Sequence, residues 1–379
     1  MSLREEIVLA IGDDAVGVGD GGAILARPAD ADAASRVVAA CTAAGVRVAT
    51  AGVGAADVLL DLSRLDDIRI DLESHLVHAG AGVDVAAIEA ALSTEGLTLG
   101  WALALDAPVG GFLAAGEPGP GGASAFPGWS PVMALEAVLL DGTKMHTTLA
   151  PRSATGPDLK VLLVGGKDRV GVITGVTLRV HAAAQLSRRV VYAFPDFGSS
   201  VDAVVETLGR DLFPERFGIV DGGAGESVLT WESQGEARRV ALVVQSVEDA
   251  CGGAGGRRLS AEARKDASGL HAGGTGAAGP EEIRASIGEA SGVEVVVRWS
   301  RLTVMRRAVL EAAGEGARVH VSRALPEGAL TLVCAPDQAG AAMREAVRRA
   351  GGFVPGEDDE GGWYQAVGAV LDGGKDGGE

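Results

Sequence analysis

Apolar residues recur at helical spacing over residues 33–45, where Ala33, Val37, Val38, Cys41 and Ala44 share one face and Gly45 marks a stop. The pattern predicts a helix there, then two short strands over 46–50 and 57–62, separated by the small-residue turn 51–56. A further strand is expected over 75–79, and Val85, Ile88 and Leu92 mark the inner face of a helix running to about Glu95. Two such repeats would make one small lobe. A second lobe is expected from about Trp101. It holds a stretch loaded with Gly and Pro over 108–131, a strand over 135–140 entering a turn at Asp141-Gly142, and an alternating β-branched strand over 172–180.

After His181 the pattern changes. Strands over 190–194, 218–221, 240–245 and 329–334, a helix over 200–208 stopped by Gly209, and helices over 281–290 and 338–350 predict a separate α+β domain. Residues 251–280, rich in Gly, Ala and charge, read as a mobile excursion, and the acidic Gly-rich tail from 356 as disordered at its end.

Composition narrows the function. The chain has 379 residues, 47% of them hydrophobic, enough for two cores, and a formal net charge of -18. That charge disfavours nucleic acid and anionic membranes as partners and leaves small molecules or proteins. The start places Glu5 and Glu6 before a short apolar run, unlike a secretory signal, and no run reaches membrane-spanning length, so a cytoplasmic location is expected. Cys41, Cys251 and Cys334 are odd in number and far apart, and the six histidines lack ligand spacing; neither a disulfide framework nor a metal site is expected. Gly17, Gly19 and Gly22 form a nominal GxGxxG, but the next helix starts too late for a dinucleotide fingerprint. P-loop and GxSxG motifs are missing.

Three glycine clusters remain: Gly52 and Gly54 between two strands, Gly110-Gly111 opening the long loop, and Gly165-Gly166 with Gly171 ahead of a strand. Backbone that brings N–H groups up to a pyrophosphate needs residues without Cβ on loops beside rigid strands, although each cluster alone also suits an ordinary turn. Their sequence company is specific. Arg27-Pro28-Ala29-Asp30 followed by a helix and "GVRVATAGVGA" resembles the opening of the FAD-binding superfamily of vanillyl-alcohol oxidase and p-cresol methylhydroxylase (PCMH). "VLLDLSRLDDI", "HLVHAGAGVDVAAIEAAL", "APVGGFLAAGEPG", "MALEAVLLDG" and "LLVGGKDRVGVITGVTLRV" resemble its further blocks, in order and at compatible spacing. The later "FPDF", "RFGIVD" and "VHVSRALPEGALTLV" are similar to the cap of the alkyldihydroxyacetonephosphate synthase and glycolate oxidase branches.

The resemblance implies an α+β chain: an extension over 1–22, a two-lobed PCMH-type FAD-binding domain over 23–182, a cap over 183–355 and the tail. It places non-covalent FAD with its pyrophosphate near Gly52, Val53, Gly54 and Ala55, its isoalloxazine near Val109, Gly110, Gly111 and Gly116, and its adenine near Gly171, Val172, Ile173 and Thr174. No His or Cys near Gly52 offers covalent attachment. In the cap, His320, Ser322, Pro326 and Gly328 match the synthase pattern, while Arg323 and Leu325 replace a His and a Tyr. His320 is the candidate catalytic histidine, equally readable as structural, and Arg323 a candidate clamp for a substrate carboxylate. The family's small residues have become Lys167, Asp168 and Arg169 in the third cluster. The implied activity is oxidation of a small alcohol or 2-hydroxy acid by hydride transfer to flavin N5. The alternative is a catalytically reduced partner or regulatory subunit beside a second flavoprotein or an iron–sulfur subunit.

Overall fold

A computed structural model describes residues 2–50, 56–100, 107–115, 131–149, 158–221, 226–260, 290–314, 316–324, 328–336 and 339–354. The described residues divide into two units, the first running to Ala183 and the second from Ala184.

The first unit opens with α1 (Leu3–Ile11), whose Ser2 cap and Glu5 side chain satisfy each other's backbone amides. Residues 2–22, set apart in the sequence as an extension, belong to this unit's fabric, because Ile7 is fully buried in its core and β1 (Val16–Val18) pairs with β2 (Ile24–Ala26). Asp30 caps α2 (Ala31–Ala43) by accepting from the Ala33 amide at 2.7 Å. With β3 (Val48–Thr50) and β4 (Val58–Leu60) the strands form a sheet of order β1-β2-β4-β3. β3 and β4 are parallel neighbours, and the Asp57 amide bonds back to Arg47 O at 3.0 Å. Parallel neighbours normally need a long crossover. Here each of the two strands is only three residues long.

A second sheet, order β5-β6-β10-β8-β9, is antiparallel throughout: β5 (Ile68–Asp71), β6 (Leu76–Gly80), β8 (Val132–Leu139), β9 (Lys144–His146) and β10 (Gly171–Arg179). The short β7 (Leu97–Thr98) pairs with β11 (His181–Ala182). Helices α3 (Val85–Thr94), α4 (Val109–Ala115) and α5 (Lys160–Leu163) complete the unit. The lobe boundary expected near Trp101 therefore falls earlier, between β4 and β5. Periodicity located the strand over 75–79 but not its partner, which is β10 almost a hundred residues later. One core runs through both sheets, including Val37 and Cys41 of α2, Leu135 and Val138 of β8, and Val172 of β10.

The second unit is one seven-stranded antiparallel sheet of order β15-β12-β14-β13-β17-β18-β16. It is built as two similar modules. The first is β12 (Leu186–Phe194), α6 (Phe197–Leu208), β13 (Arg216–Val220), β14 (Ser227–Gly235) and α7 (Ala237–Gly253), followed by the short β15 (Arg257–Arg258). The second is β16 (Ala290–Arg298), α8 (Trp299–Ala313), β17 (Arg318–Ala324), β18 (Gly328–Pro336) and α9 (Gly340–Arg349). The modules join where Ile219 of β13 pairs with Val321 of β17. Alternate strand residues such as Phe217, Trp231 and Val319 form one core with apolar residues of all four helices.

Two expectations fail in this unit, and a third falls almost wholly outside the described residues. Residues 240–245 are helical, within α7: Glu236 caps its amino end, and Val240, Val243 and Val247 are buried at helical spacing. The β-branched run there mimics a strand, but packing against the sheet selected the 3.6-residue period. Residues 281–289 of an expected helix lie outside the described residues, and Ala290 opens strand β16. The excursion expected from 251 begins instead with the end of α7 and β15; its residues 261–280, like the tail from 356, lie outside the described residues.

A strand would put Val240 and Leu242 on one face, whereas the helix buries Val240 and leaves Leu242 70% exposed. Leu242→Glu should therefore change unfolding free energy by no more than about 0.5 kcal/mol. Val247→Glu, which buries an unpaired carboxylate, should cost about 3 kcal/mol or more. Urea denaturation of the two variants checks this, and the opposite ranking would refute the helix.

Candidate functional site

The first glycine cluster, Gly52, Val53, Gly54 and Ala55, lies outside the described residues, as does Gly116. The residue that enters it is placed. Thr50 ends β3 and is buried; its amide donates to Asp168 Oδ2 at 2.7 Å, and its Oγ1 donates to the same oxygen at 2.6 Å. The turn that carries Asp168 is fixed in its turn to α4. Gly165 N–H donates to Leu113 O at 2.9 Å and Lys167 N–H to Ala114 O at 2.8 Å. The start of α4 is held by Val109 N–H on Val83 O and Gly110 N–H on Ala81 O, while Ala81 N–H bonds to Thr174 O. The end of β3, helix α4 and the turn into β10 thus meet at one place in the first unit, although the sequence separates them widely.

Contacts at the glycines revise their reason for being glycine. A Cβ on Gly110 would lie 2.6 Å from Ala81 Cβ, and one on Gly171 would lie 2.6 Å from Val138 O. The close approach of α4 to the Ala81 segment and of β10 to β8 requires these glycines before any ligand is considered. Gly111 lies in α4 beside Gly110. The side chains of Val172 and Ile173 are buried in the unit's core, and Thr174 is 5% exposed. Among the described strands, β6 joins β10 only from Gly175 onward, so Gly171–Ile173 is laddered by β8 on one edge.

Sequence reasoning noted Asp168 only as a charge in place of a small residue. Lys167 and Asp168 adopt φ of 51° and 56°, the left-handed region that residues with a Cβ rarely occupy. A short polar side chain tolerates that conformation, and Asp168 uses it to reach Thr50. Asp168 is 4% exposed, and its Oδ1 has no hydrogen-bond partner among the described residues. Burial pushes its carboxyl above the usual carboxylate range, opposed by the Thr50 hydroxyl and amide and by the charge of Arg47. Lys167 and Arg169 stand exposed on either side of it in the chain. They flank a turn whose backbone is tied to α4 and, through Asp168, to the end of β3, a setting in which backbone amides and cations can receive an anionic dinucleotide. The buried Asp168 carboxylate, an acceptor, is not itself a donor to such an anion.

In the second unit His320 is 3% exposed and belongs to β17, which has a strand on both sides, so it is an interior rather than an edge histidine. Its Nδ1 accepts from the Asp221 amide at 3.3 Å. The Asp221 carboxylate receives Arg306 through Nε at 2.8 Å and Nη2 at 2.9 Å, and the Val319 amide at 3.3 Å. The Arg306 guanidinium also lies 5.2 Å from the ring centre of Phe197. Asp221 and Arg306 went unnoticed in the sequence because nothing in local spacing links residues 221, 306 and 320. Arg323 follows a register shift in β17 and pairs with Leu330; Leu325 lies outside the described residues. Among the described residues no group of three His, Cys, Asp or Glu side chains could hold a metal.

Residues 22–148 match the FAD binding domain family. Over 94 residues the chain is 36% identical to a probable mitochondrial D-lactate dehydrogenase of Danio rerio, covering 24% of this chain and 19% of that protein. Over 126 residues it is 33% identical to the uncharacterized FAD-linked oxidoreductase YgcU of Escherichia coli K12, covering 32% and 26%. The matches thus span about a fifth to a quarter of these curated relatives. Among solved structures, alkyldihydroxyacetonephosphate synthase superposes with a TM-score of 0.70 at 14% identity, over 92% of this chain and 75% of that one. p-Cresol methylhydroxylase with substrate bound gives 0.66 at 15%, over 93% and 88%. Residues 22–148 thus match the FAD binding domain family, and the chain shares the fold of these two solved enzymes.

Proposed function

We propose that this chain is an FAD-dependent oxidoreductase acting on a small alcohol, with 2-hydroxy acids as the first class to try. The observation that carries this reading is that Thr50 and α4, both within the residues 22–148 that match the FAD binding family, meet the Asp168 turn that follows them in the same unit. The D-lactate dehydrogenases of Danio rerio and Arabidopsis thaliana among its relatives support the substrate class. Non-covalent FAD, when bound, would supply the hydride acceptor at its N5. The first unit's backbone would hold and orient it, through Gly52, Val53, Gly54 and Ala55 at the diphosphate and through α4 and Gly171–Thr174 elsewhere. His320 and Arg323 of β17 are the groups proposed for the substrate's proton and carboxylate.

One observation favours the second reading, a catalytically reduced partner of a fuller flavoprotein or of an iron–sulfur subunit. The Asp221 amide donates to His320 Nδ1, so the neutral ring carries its proton on Nε2 and in that tautomer offers a donor rather than a base.

Purified chain reconstituted with FAD should be yellow, release its flavin to the supernatant on denaturation, and bleach anaerobically with D-lactate or glycolate. Failure to take up FAD, or bound flavin that no 2-hydroxy acid reduces, would contradict the proposal. His320→Ala should lower kcat roughly 100-fold if the histidine moves the substrate's proton. Unchanged turnover in steady-state assays would remove His320 from the chemistry.

A further inference from the structure

We propose that Arg306 is a positioning residue for His320: acting through Asp221, it holds the imidazole in the tautomer protonated on Nε2, so that the ring meets a substrate oxygen as a hydrogen-bond donor. The inference rests on the reading of His320 above and narrows its part, from taking the substrate's proton to donating to the substrate's hydroxyl or carboxylate oxygen.

The clamp on the ring lies where two strands part. β13 and β17 pair antiparallel at Ile219 and Val321, and one more pair of that ladder would join residue 221 to residue 319. Side chains take its place. The Val319 amide donates to Asp221 Oδ2 at 3.3 Å, and the Asp221 amide donates to His320 Nδ1 at 3.3 Å. A ring nitrogen that accepts a hydrogen bond carries no proton, so the neutral imidazole has its hydrogen on Nε2. Residue 221 therefore holds β17 twice, and whatever anchors its carboxylate also anchors the backbone that carries the amide.

That anchor is Arg306. Its Nε donates to Oδ2 at 2.8 Å and its Nη2 to Oδ1 at 2.9 Å, a fork that fixes the plane of the carboxyl. The guanidinium is itself constrained, since it lies 5.2 Å from the ring centre of Phe197 at the start of α6 and its side chain is 19% exposed. It is carried by α8, whose Leu302, Met305 and Val309 are buried in the unit's core, so the fork is set by packed elements rather than by a loop. A lysine would bring the same charge as a single point and leave the carboxyl free to turn.

The tautomer decides what His320 can do. Nδ1, the ring's acceptor, is already taken by the Asp221 amide, and Nε2 carries a hydrogen, so neither nitrogen is set to accept the hydroxyl proton of a 2-hydroxy acid. Nε2–H is suited instead to the hydroxyl or carboxylate oxygen of such a substrate.

Heteronuclear NMR of the histidine-labelled full chain without FAD, at a pH where the ring is neutral, reads the tautomer directly. Wild-type His320 should show one tautomer, protonated on Nε2 with Nδ1 accepting. Arg306→Lys, which keeps the charge but not the fork, should give a mixture and speed hydrogen exchange of the Asp221 amide by about tenfold. Arg306→Gln combined with Asp221→Asn leaves no buried charge alone and should do the same even if Arg306→Lys fails to fold. A contact that only supported the fold would lower the melting temperature and leave tautomer and exchange unchanged. In FAD-loaded chain, Arg306→Lys should raise KM for the 2-hydroxy acid that reduces the flavin by about tenfold, with kcat moving less. Wild-type His320 protonated on Nδ1, or a single Nε2–H tautomer that persists in both variants, overturns the proposal whatever the flavin does. The expected tautomer and its loss in the variants, in a chain whose flavin no 2-hydroxy acid reduces, would sink the proposed function and leave the positioning of His320 by Arg306 standing.

Discussion

Two hydrogen bonds from Thr50 to a single oxygen of Asp168 close the first unit around its candidate site. They join the last residue of β3 to the turn that feeds β10, two places 118 residues apart in the chain. The same turn is bonded to α4 through Gly165 and Lys167, and α4 to the Ala81–Val83 segment that meets Thr174. Each link depends on the previous one for its geometry. Hydrogen bonds to a charged acceptor are worth about 1.5–3 kcal/mol each, but a buried carboxyl with one unpaired oxygen gives much of that back as desolvation. The arrangement therefore places the three segments accurately while adding little to stability, as expected of a ligand site on a rigid scaffold.

A similar economy governs the polar interior of the second unit. Asp221 is almost fully buried, yet it is held by both nitrogens of an Arg306 fork and by the Val319 amide. Its own amide then fixes the ring of His320. Removing Arg306 would leave a buried carboxylate without its cation, so the pair is costly to break even where forming it gains little. Histidine orientation in β17 is thus set by the joint between the two modules, where β13 meets β17. The ring's position is a property of the sheet as much as of any chemistry assigned to it.

Much of this fold was legible in the sequence. α2, α3, α6 and the strands β6, β8 and β10 follow from amphipathic spacing and from stops at Gly45, Glu95 and Gly209, and the ordered glycine blocks gave the architecture. Pairing partners were not legible, since β6 shows the same alternation whether it pairs with β4 or with β10. α7 was misread because the β-branched composition of residues 240–244 outweighed the i, i+3, i+4, i+7 spacing of Val240, Val243, Val244 and Val247, which is helical and which the sheet-facing side buries. In the site, the glycines identified the right segments for partly the wrong reason, as Gly110 and Gly171 answer first to Ala81 and Val138. Asp168, the residue that ties the segments together, breaks the resembled pattern. Its role could not be read from the sequence because it depends on positive φ and on a contact with Thr50.

The central claim is that three separate stretches of the first unit form one flavin site. Hydrogen–deuterium exchange of the whole chain with and without saturating FAD tests it most directly. The account predicts slowed exchange together in the peptides holding Thr50, Val109–Ala115 and Gly165–Thr174, with α7 unchanged. Bound FAD that protects only one of these stretches, or none, would contradict it.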